Sequence, residues 1–337
     1  MKFIRGGSYT VESTIPHRDL PREYEEIFEK IVLDPEFEID VVNIASDNQE
    51  IGEILEKGTE SFARDMIGLA ASERNISKSL NDGFRKNLFL TNALDLNKTV
   101  MATEMAIENK ENTVNPAGGH HHAHRGGSYA PQFNMLNDIT AGINYAKDFR
   151  DIEDILVIDL DVHHGDGTVY DTRTDDSVFT YSIHQWDLFP KTDSGWKDYD
   201  GAGKGHDTVF NYPMPKEIAG DSYNEVVRQT LPEVNETVDP DLVFFQAGRD
   251  LHHEDYLADL KLDLDSIYER DSIVSQTVDA PIITLSGGGY GPKAVKAAVN
   301  TLYAIEGMDQ RYIEDSDIST SEDKIDKIQT WYPDLEL

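Results

Sequence analysis

The run from Ile155 to Gly167 constrains the fold of this chain more than any other stretch. Ile155-Leu156-Val157-Ile158 reads as a strand buried on both faces, the kind that parallel sheets covered by helices require. It leads into Asp159-Leu160-Asp161-Val162-His163-His164-Gly165-Asp166-Gly167. A lone Asp-x-His is ordinarily a turn with a solvated carboxylate. Here five ionisable side chains and two glycines crowd into nine residues at the end of an apolar strand. Desolvating that much charge without partners is prohibitive, so the segment must face a cavity, an ion or both. In open α/β sheets, sites are built at the carboxyl ends of strands. Asp161 and His163 are two apart, which in extended backbone puts them on one face. Carboxylate plus imidazole suits zinc or ferrous iron.

The rest of the chain supplies the sheet. Apolar runs predict strands over 155–161, 178–183, 242–246 and 282–285, with helices over 137–149, 222–236, 264–277 and 293–305. Strand–helix alternation implies βαβ units, hence a mainly parallel sheet in an α/β fold. Residues 20–110 read as mostly helical, with segments at 21–28, 50–66 and 99–109. The 337 residues, 39% apolar, suffice for one large core. We expect a single catalytic domain over 1–310, its helical N-terminal part at about 15–110, and an acidic tail over 311–337 with a short helix near 319–329.

Charge and cysteine narrow the function. Thirty Lys and Arg against 64 Asp and Glu give a net charge of −34. Nucleic-acid binders need a basic footprint, so direct phosphate-backbone binding is not expected. The acid is spread along the chain, which favours a halophilic, salt-adapted surface over a patch that steers cationic substrates. With no cysteine there is no disulfide, thiolate zinc site or cysteine nucleophile. No apolar run reaches membrane-spanning length, and the first residues do not form a signal peptide, so a cytoplasmic, soluble protein is the expectation. Oligomeric state is left open.

Four further stretches end in chemically pointed residues. Gly118-Gly119-His120-His121-His122-Ala123-His124 places four imidazoles behind two glycines that permit a tight pocket wall. Alone, it is as readily a fortuitous surface metal binder as a site. Phe244-Phe245-Gln246-Ala247-Gly248-Arg249-Asp250 is a second apolar strand ending in a carboxylate; Asp250 is either a third ligand or a helix N-cap. Ser286-Gly287-Gly288-Gly289-Tyr290 follows a third strand, and three glycines suggest backbone approach to a ligand or neighbouring chain. The phenol of Tyr290, with an ordinary pKa near ~10, is a hydrogen-bond donor at neutral pH. Phe189-Pro190-Lys191-Thr192, with Asn211-Tyr212-Pro213-Met214-Pro215 beyond it, reads by itself as loop.

Together, in this order and spacing, the five motifs resemble the histone deacetylase family over roughly residues 95–305. That family includes acetylpolyamine amidohydrolases and acetoin-utilisation-type proteins. The resemblance implies an arginase/deacetylase-like three-layer α/β/α fold and a hydrolase that uses metal-activated water. Zinc is the implied ion, with ferrous iron the alternative, and a potassium ion is implied as well. The implied substrates are acetylated lysine in a protein or peptide, or small acetylated amines.

Residue by residue, Asp161, His163 and Asp250 resemble the metal ligands. His121 and His122 match the tandem catalytic histidines, with Asp159 and Asp166 as their orienting carboxylates. His120 and His164 fall on non-catalytic positions. Tyr290 matches the tyrosine that hydrogen-bonds the scissile carbonyl. Phe133 and Phe189 would wall the acyl channel, with Leu257 at its rim and Gln132 and Gly288 beside them as substrate-binding positions. Asp159, Asp161, His163, Ser182 and Ile183 resemble the potassium site, where backbone carbonyls contribute.

The chain departs from the family at the channel mouth. Asn115-Pro116-Ala117-Gly118-Gly119 stands where Arg-Pro-Pro-Gly is common, Gln132-Phe133 where Gly-Phe is expected, and Asp255-Tyr256-Leu257 where Asp-Pro-Leu is usual. A leucine at the rim, in place of an acid, argues against a dedicated polyamine enzyme. An arginase-type ureohydrolase would need extra carboxylates for two metals, yet Asp250 is followed by Leu251-His252. A catalytically silent acyl-lysine binder would have no use for both histidines and Tyr290.

Overall fold

The computed structural model describes residues 2–5, 40–43, 83–124, 127–128, 135–314 and 316–337. Within these, strands β1 (Lys2–Arg5) and β2 (Asp40–Asn43) precede the 27-residue helix α1 (Gly83–Asn109) and strand β3 (Thr113–Asn115). A two-stranded antiparallel ribbon follows, β4 (Ala123–His124) with β5 (Gly127–Ser128), and then α2 (Asp138–Arg150). Next come β6 (Ile155–Asp159), α3 (Asp166–Thr172), β7 (Val178–Gln185), β8 (Val209–Met214) and α4 (Gly220–Val238). The chain continues with β9 (Leu242–Gln246), α5 (Leu264–Thr277), β10 (Ile282–Leu285), α6 (Ala294–Ile305) and α7 (Glu322–Trp331).

Eight strands form one sheet in the order β2-β1-β3-β10-β9-β6-β7-β8, and every pairing in it is parallel. Alternation along the central strands shows how both faces are covered. Ile155 and Val157 of β6, with Leu242 and Phe244 of β9, pack against Ile139, Ile143 and Ala146 of α2. Leu156 and Ile158, with Val243 and Phe245, pack on the other face against Val226, Val227 and Leu231 of α4 and Ile267 of α5. A strand two-faced in this way cannot alternate polar with apolar, which is why these runs are continuously hydrophobic. The result is three layers, α/β/α.

Register then fixes where a site can form. Asn115, Leu285, Gln246, Asp159, Ser182 and Asn211 occupy one continuous row across six strands. From β6 the chain builds outward through β7 and β8; it then returns to place β9 on the other side of β6 and continues to β10. The strand order therefore reverses between β6 and β9, and crevices at such reversals are where α/β sheets hold ligands.

Several elements differ from the expectation. The Asn211–Pro215 stretch, read as loop, lies mostly in β8, where Pro213 pairs in register with His184. A proline is tolerated there because β8 is an edge strand. β3 has only three residues, too few to carry a periodic signal. β2 lies within the region read as mostly helical. The helical segments expected at 21–28 and 50–66, and Gln132 and Phe133, lie outside the described residues.

The C-terminal stretch, expected as a polar tail with a helix over 319–329, carries α7 and packs against the domain. Ile328 is fully buried. Trp331 meets Trp196 edge-on at 5.4 Å, and Trp196 in turn lies 4.5 Å from Trp186. The Tyr332 hydroxyl donates to the Pro213 carbonyl at 2.9 Å. Among the described residues, no helix is long and apolar enough to cross a membrane.

Candidate metal centre and acyl channel

β6 ends at Asp159, two residues short of the expected boundary. The Leu160 N–H still bonds to the Gln246 carbonyl, but the next donors go to side chains. Asp161 N–H donates to Asp159 Oδ1 at 3.2 Å, and His163 N–H donates to Asp161 Oδ1 at 3.0 Å. Aspartates that cap the backbone two residues on break a ladder into turns. Asp161 and His163 thus meet through a bend, and the straight pleat expected for them is absent.

The ligating atoms of Asp161, His163 and Asp250 all lie within 4.8 Å of one another, and all three residues are buried. His163 Nδ1 stands 3.2 Å from Asp161 Oδ1 and 3.0 Å from Asp250 Oδ2. Two close approaches make this possible. A Cβ on Gly248 would sit 2.3 Å from the Asp161 Cα, and one on Gly288 would sit 2.1 Å from Asp250 Oδ2. The Gly288 N–H donates instead to Asp161 Oδ2 at 2.7 Å. Two carboxylates and one imidazole nitrogen form a donor set that fits a divalent zinc or ferrous ion.

The titration of these groups follows from their crowding. Burial opposes the charge on Asp161, but His121 and His163 outweigh it and hold this carboxyl below the usual range. Burial, then the charge on Asp161, raises Asp250 to about 6. Burial also opposes a charged His163; its bonds to Asp161 and Asp250 nonetheless raise it to about 10.

The two tandem histidines have separate partners. His121 Nδ1 pairs with Asp159 Oδ2 at 2.8 Å, and His122 Nδ1 pairs with Asp166 Oδ1 at 2.7 Å. Their rings are 4.1 Å apart. Burial works against charge on His121, but Asp159 and Asp161 raise it to about 9. Burial lowers His122 well below the ordinary imidazole value, and the charges on His121 and His163 add to this. Burial pushes Asp166 up to about 7. One imidazole is therefore cationic near neutrality while its neighbour is neutral.

Around this centre, Phe189 packs edge-on against His122 at 5.1 Å and against His163 at 6.4 Å. Phe189 is 39% exposed, and Leu257 and Tyr256 are likewise large apolar side chains left open to solvent, at 40% and 64%. Asp159 and Ser182 are register partners on β6 and β7. The Ile183 carbonyl accepts from the Tyr223 hydroxyl at 3.1 Å, and its second lone pair can take another partner. His164 does not join the ligand group: its Nε2 faces Ser194 Oγ at 3.2 Å and its ring lies against His184.

Supporting residues passed over in the sequence hold these loops. Asp138, the first residue of α2, accepts from Gly119 N–H at 3.0 Å and His120 N–H at 2.7 Å, pinning the histidine turn. Arg249 donates through Nε to the Gly288 carbonyl at 3.1 Å. Arg270, fully buried on α5, donates to the carbonyls of Leu160 at 3.0 Å and Gly248 at 2.8 Å, and its Nε pairs with Asp271. It thereby links the segment of Asp161 to that of Asp250. Only Asp138 had a local signal, an Asn-Asp helix start before an apolar run.

A second cluster, His252, His253 and Glu314, is also close enough to hold an ion. Its bonding argues otherwise. His252 Nδ1 accepts from the Glu254 N–H at 3.1 Å, which leaves the proton on Nε2, donated to Glu314 at 2.8 Å. Lys293 already places its ammonium 3.3 Å from the same carboxylate. Glu314 is a latch between loops.

A profile described as "Histone deacetylase domain" matches residues 50–305, more than half of the chain. An acetoin utilization protein AcuC of Staphylococcus aureus is 31% identical over 232 residues, covering 66% of this chain and 59% of that protein. A protein from a Picosynechococcus strain is 33% identical over 195 residues, 57% of this chain and 60% of the relative. The chain thus spans about six-tenths the length of these curated relatives. Among solved structures, an "HDAC homolog complexed with SAHA" superposes with a TM-score of 0.70 at 24% identity. That match covers 99% of this chain and 89% of the other.

Proposed function

The chain belongs to the histone deacetylase family, and from that membership we propose that it is a metal-dependent amidohydrolase removing acetyl groups from acetyl-lysine or small acetylated amines. The observation that carries the reading is a buried Asp161–His163–Asp250 donor set beside two histidines, each on its own carboxylate. Asp161, His163 and Asp250 would hold zinc or ferrous iron. Such an ion, when bound, polarises a carbonyl and acidifies a water.

The side chains divide the remaining work. His122, neutral and facing Phe189, takes a proton from the attacking water through Nε2, because Nδ1 is committed to Asp166. The same imidazole then returns a proton to the departing amine. His121, held by Asp159 through Nδ1, turns its other ring nitrogen to the negative charge developing on the substrate oxygen. Tyr290 adds a hydrogen bond from its phenol to the scissile carbonyl. Phe189 lines a slender channel suited to a linear acylated amine, and the apolar rim of Tyr256 and Leu257 favours a peptide-borne acetyl-lysine over a polycation. Ser182 and Ile183, with Asp159, Asp161 and His163, would hold a potassium ion.

Turnover of acetyl-lysine peptides, acetylpolyamines and longer acyl-lysines by the zinc- or iron-loaded protein tests the reading. Tyr290→Phe and His122→Ala are each expected to lower turnover roughly 100-fold or more at unchanged metal content. Undiminished turnover in both would sink the mechanism.

A further inference from the structure

We propose that Asp255 is the positioning residue that sets Tyr290 and the channel rim as one unit. The proposal rests on the hydrolase reading above for its kinetic consequences, though not for its geometry.

Tyr290 ends a run of three glycines, of which Gly287 (φ 60°) and Gly289 (φ 147°) adopt backbone conformations closed to most side chains. Such a run has little stiffness of its own, yet a tyrosine several bonds long must deliver its hydroxyl to within about 0.5 Å of a fixed point. Arg249 holds the carbonyls upstream, at Gly287 and Gly288. On the downstream side, Asp255 Oδ2 accepts the N–H of Tyr290 at 2.6 Å and that of Gly291 at 2.9 Å. Its other oxygen, Oδ1, accepts the N–H of the rim residue Leu257 at 2.9 Å. Asp255 is itself tied to the loop that begins at Asp250, through its own N–H to the His252 carbonyl at 2.8 Å.

One rigid carboxyl plane therefore spans the segment bearing a metal ligand, the rim and the tyrosine. Only a carboxylate can take three N–H donors on two oxygens; an asparagine would turn its own NH2 toward one of them. Asp255 touches no reacting atom and acts only through what it holds.

Two measurements test this, and they fail independently. By hydrogen exchange, Asp255→Asn is expected to speed exchange of the Tyr290 and Gly291 amides at least tenfold in the metal-loaded protein; unchanged protection overturns the proposal whether or not the protein is a deacetylase. In a kinetic cycle on an acetyl-lysine peptide, Asp255→Asn is expected to lower kcat roughly tenfold, more than it alters KM, with metal content intact. In the Tyr290→Phe background the same change should cost less than twofold. Losses that multiply instead would assign Asp255 a role apart from Tyr290 and overturn the proposal. Absence of wild-type turnover would count against the hydrolase reading and leave the exchange result to decide on Asp255.

Discussion

At the scale of single residues, the centre is organised by competition for protons. His163, raised to about 10 by Asp161 and Asp250 once burial is offset, is an imidazolium at neutral pH in the metal-free protein. An incoming divalent ion must displace that proton from Nδ1. Metal binding at pH 7 is accordingly expected to release about one proton per ion and to tighten as pH rises toward that value. Calorimetry in buffers of different ionisation enthalpy reads the number directly, and binding with no proton release would contradict the assignment of His163 as a ligand. The same crowding explains what the sequence could and could not disclose. The pairing of Asp161 with His163 was legible because so much charge at one strand end has few other uses, whereas Asp250, by its own residues a ligand or a helix N-cap, joined them only through the family resemblance. Asp255 and Arg270 were not, since a buried carboxylate or guanidinium that serves backbone groups looks, in sequence, like any surface charge. Nor was the bend at residues 160–163, which depends on side chains capping their own backbone.

At the scale of elements, apolar runs flanked by polar residues located β6, β9, β10 and α5 closely, since strands covered on both faces leave no room for ambiguity. Short or proline-bearing edge strands such as β3 and β8 escape that logic. α7 is instructive in another way. Its sequence is largely polar, yet Ile328 is fully buried and the residues after it pack on the main core. Ile328→Ala is expected to destabilise the protein by about 2–5 kcal/mol, the usual range for a truncated core aliphatic. The shift in denaturant midpoint at constant slope measures it, and a change below about 1 kcal/mol would mean that α7 is dispensable to the core.

At the scale of the whole molecule, the charge of −34 sets the dependence on solvent. Like charges spread over a folded surface repel one another, and the repulsion is felt over about 10 Å in 0.1 M salt but only about 3 Å in 1 M. Raising KCl from 0.1 to 1 M is expected to increase the thermal midpoint by several degrees, with a further rise towards saturation. A midpoint that is flat or falls with salt would argue that the acids serve something other than a salt-adapted surface.

The meeting of Trp186, Trp196 and Trp331 has an optical corollary. They are all the tryptophans the chain possesses, so its intrinsic emission arises from a single spot where α7 meets the loop leading from β7. Light excited near 295 nm therefore interrogates one seam of the molecule. A red shift on titrating denaturant dates the parting of that seam, and a lag between it and the loss of helical circular dichroism would reveal the C-terminal segment leaving first.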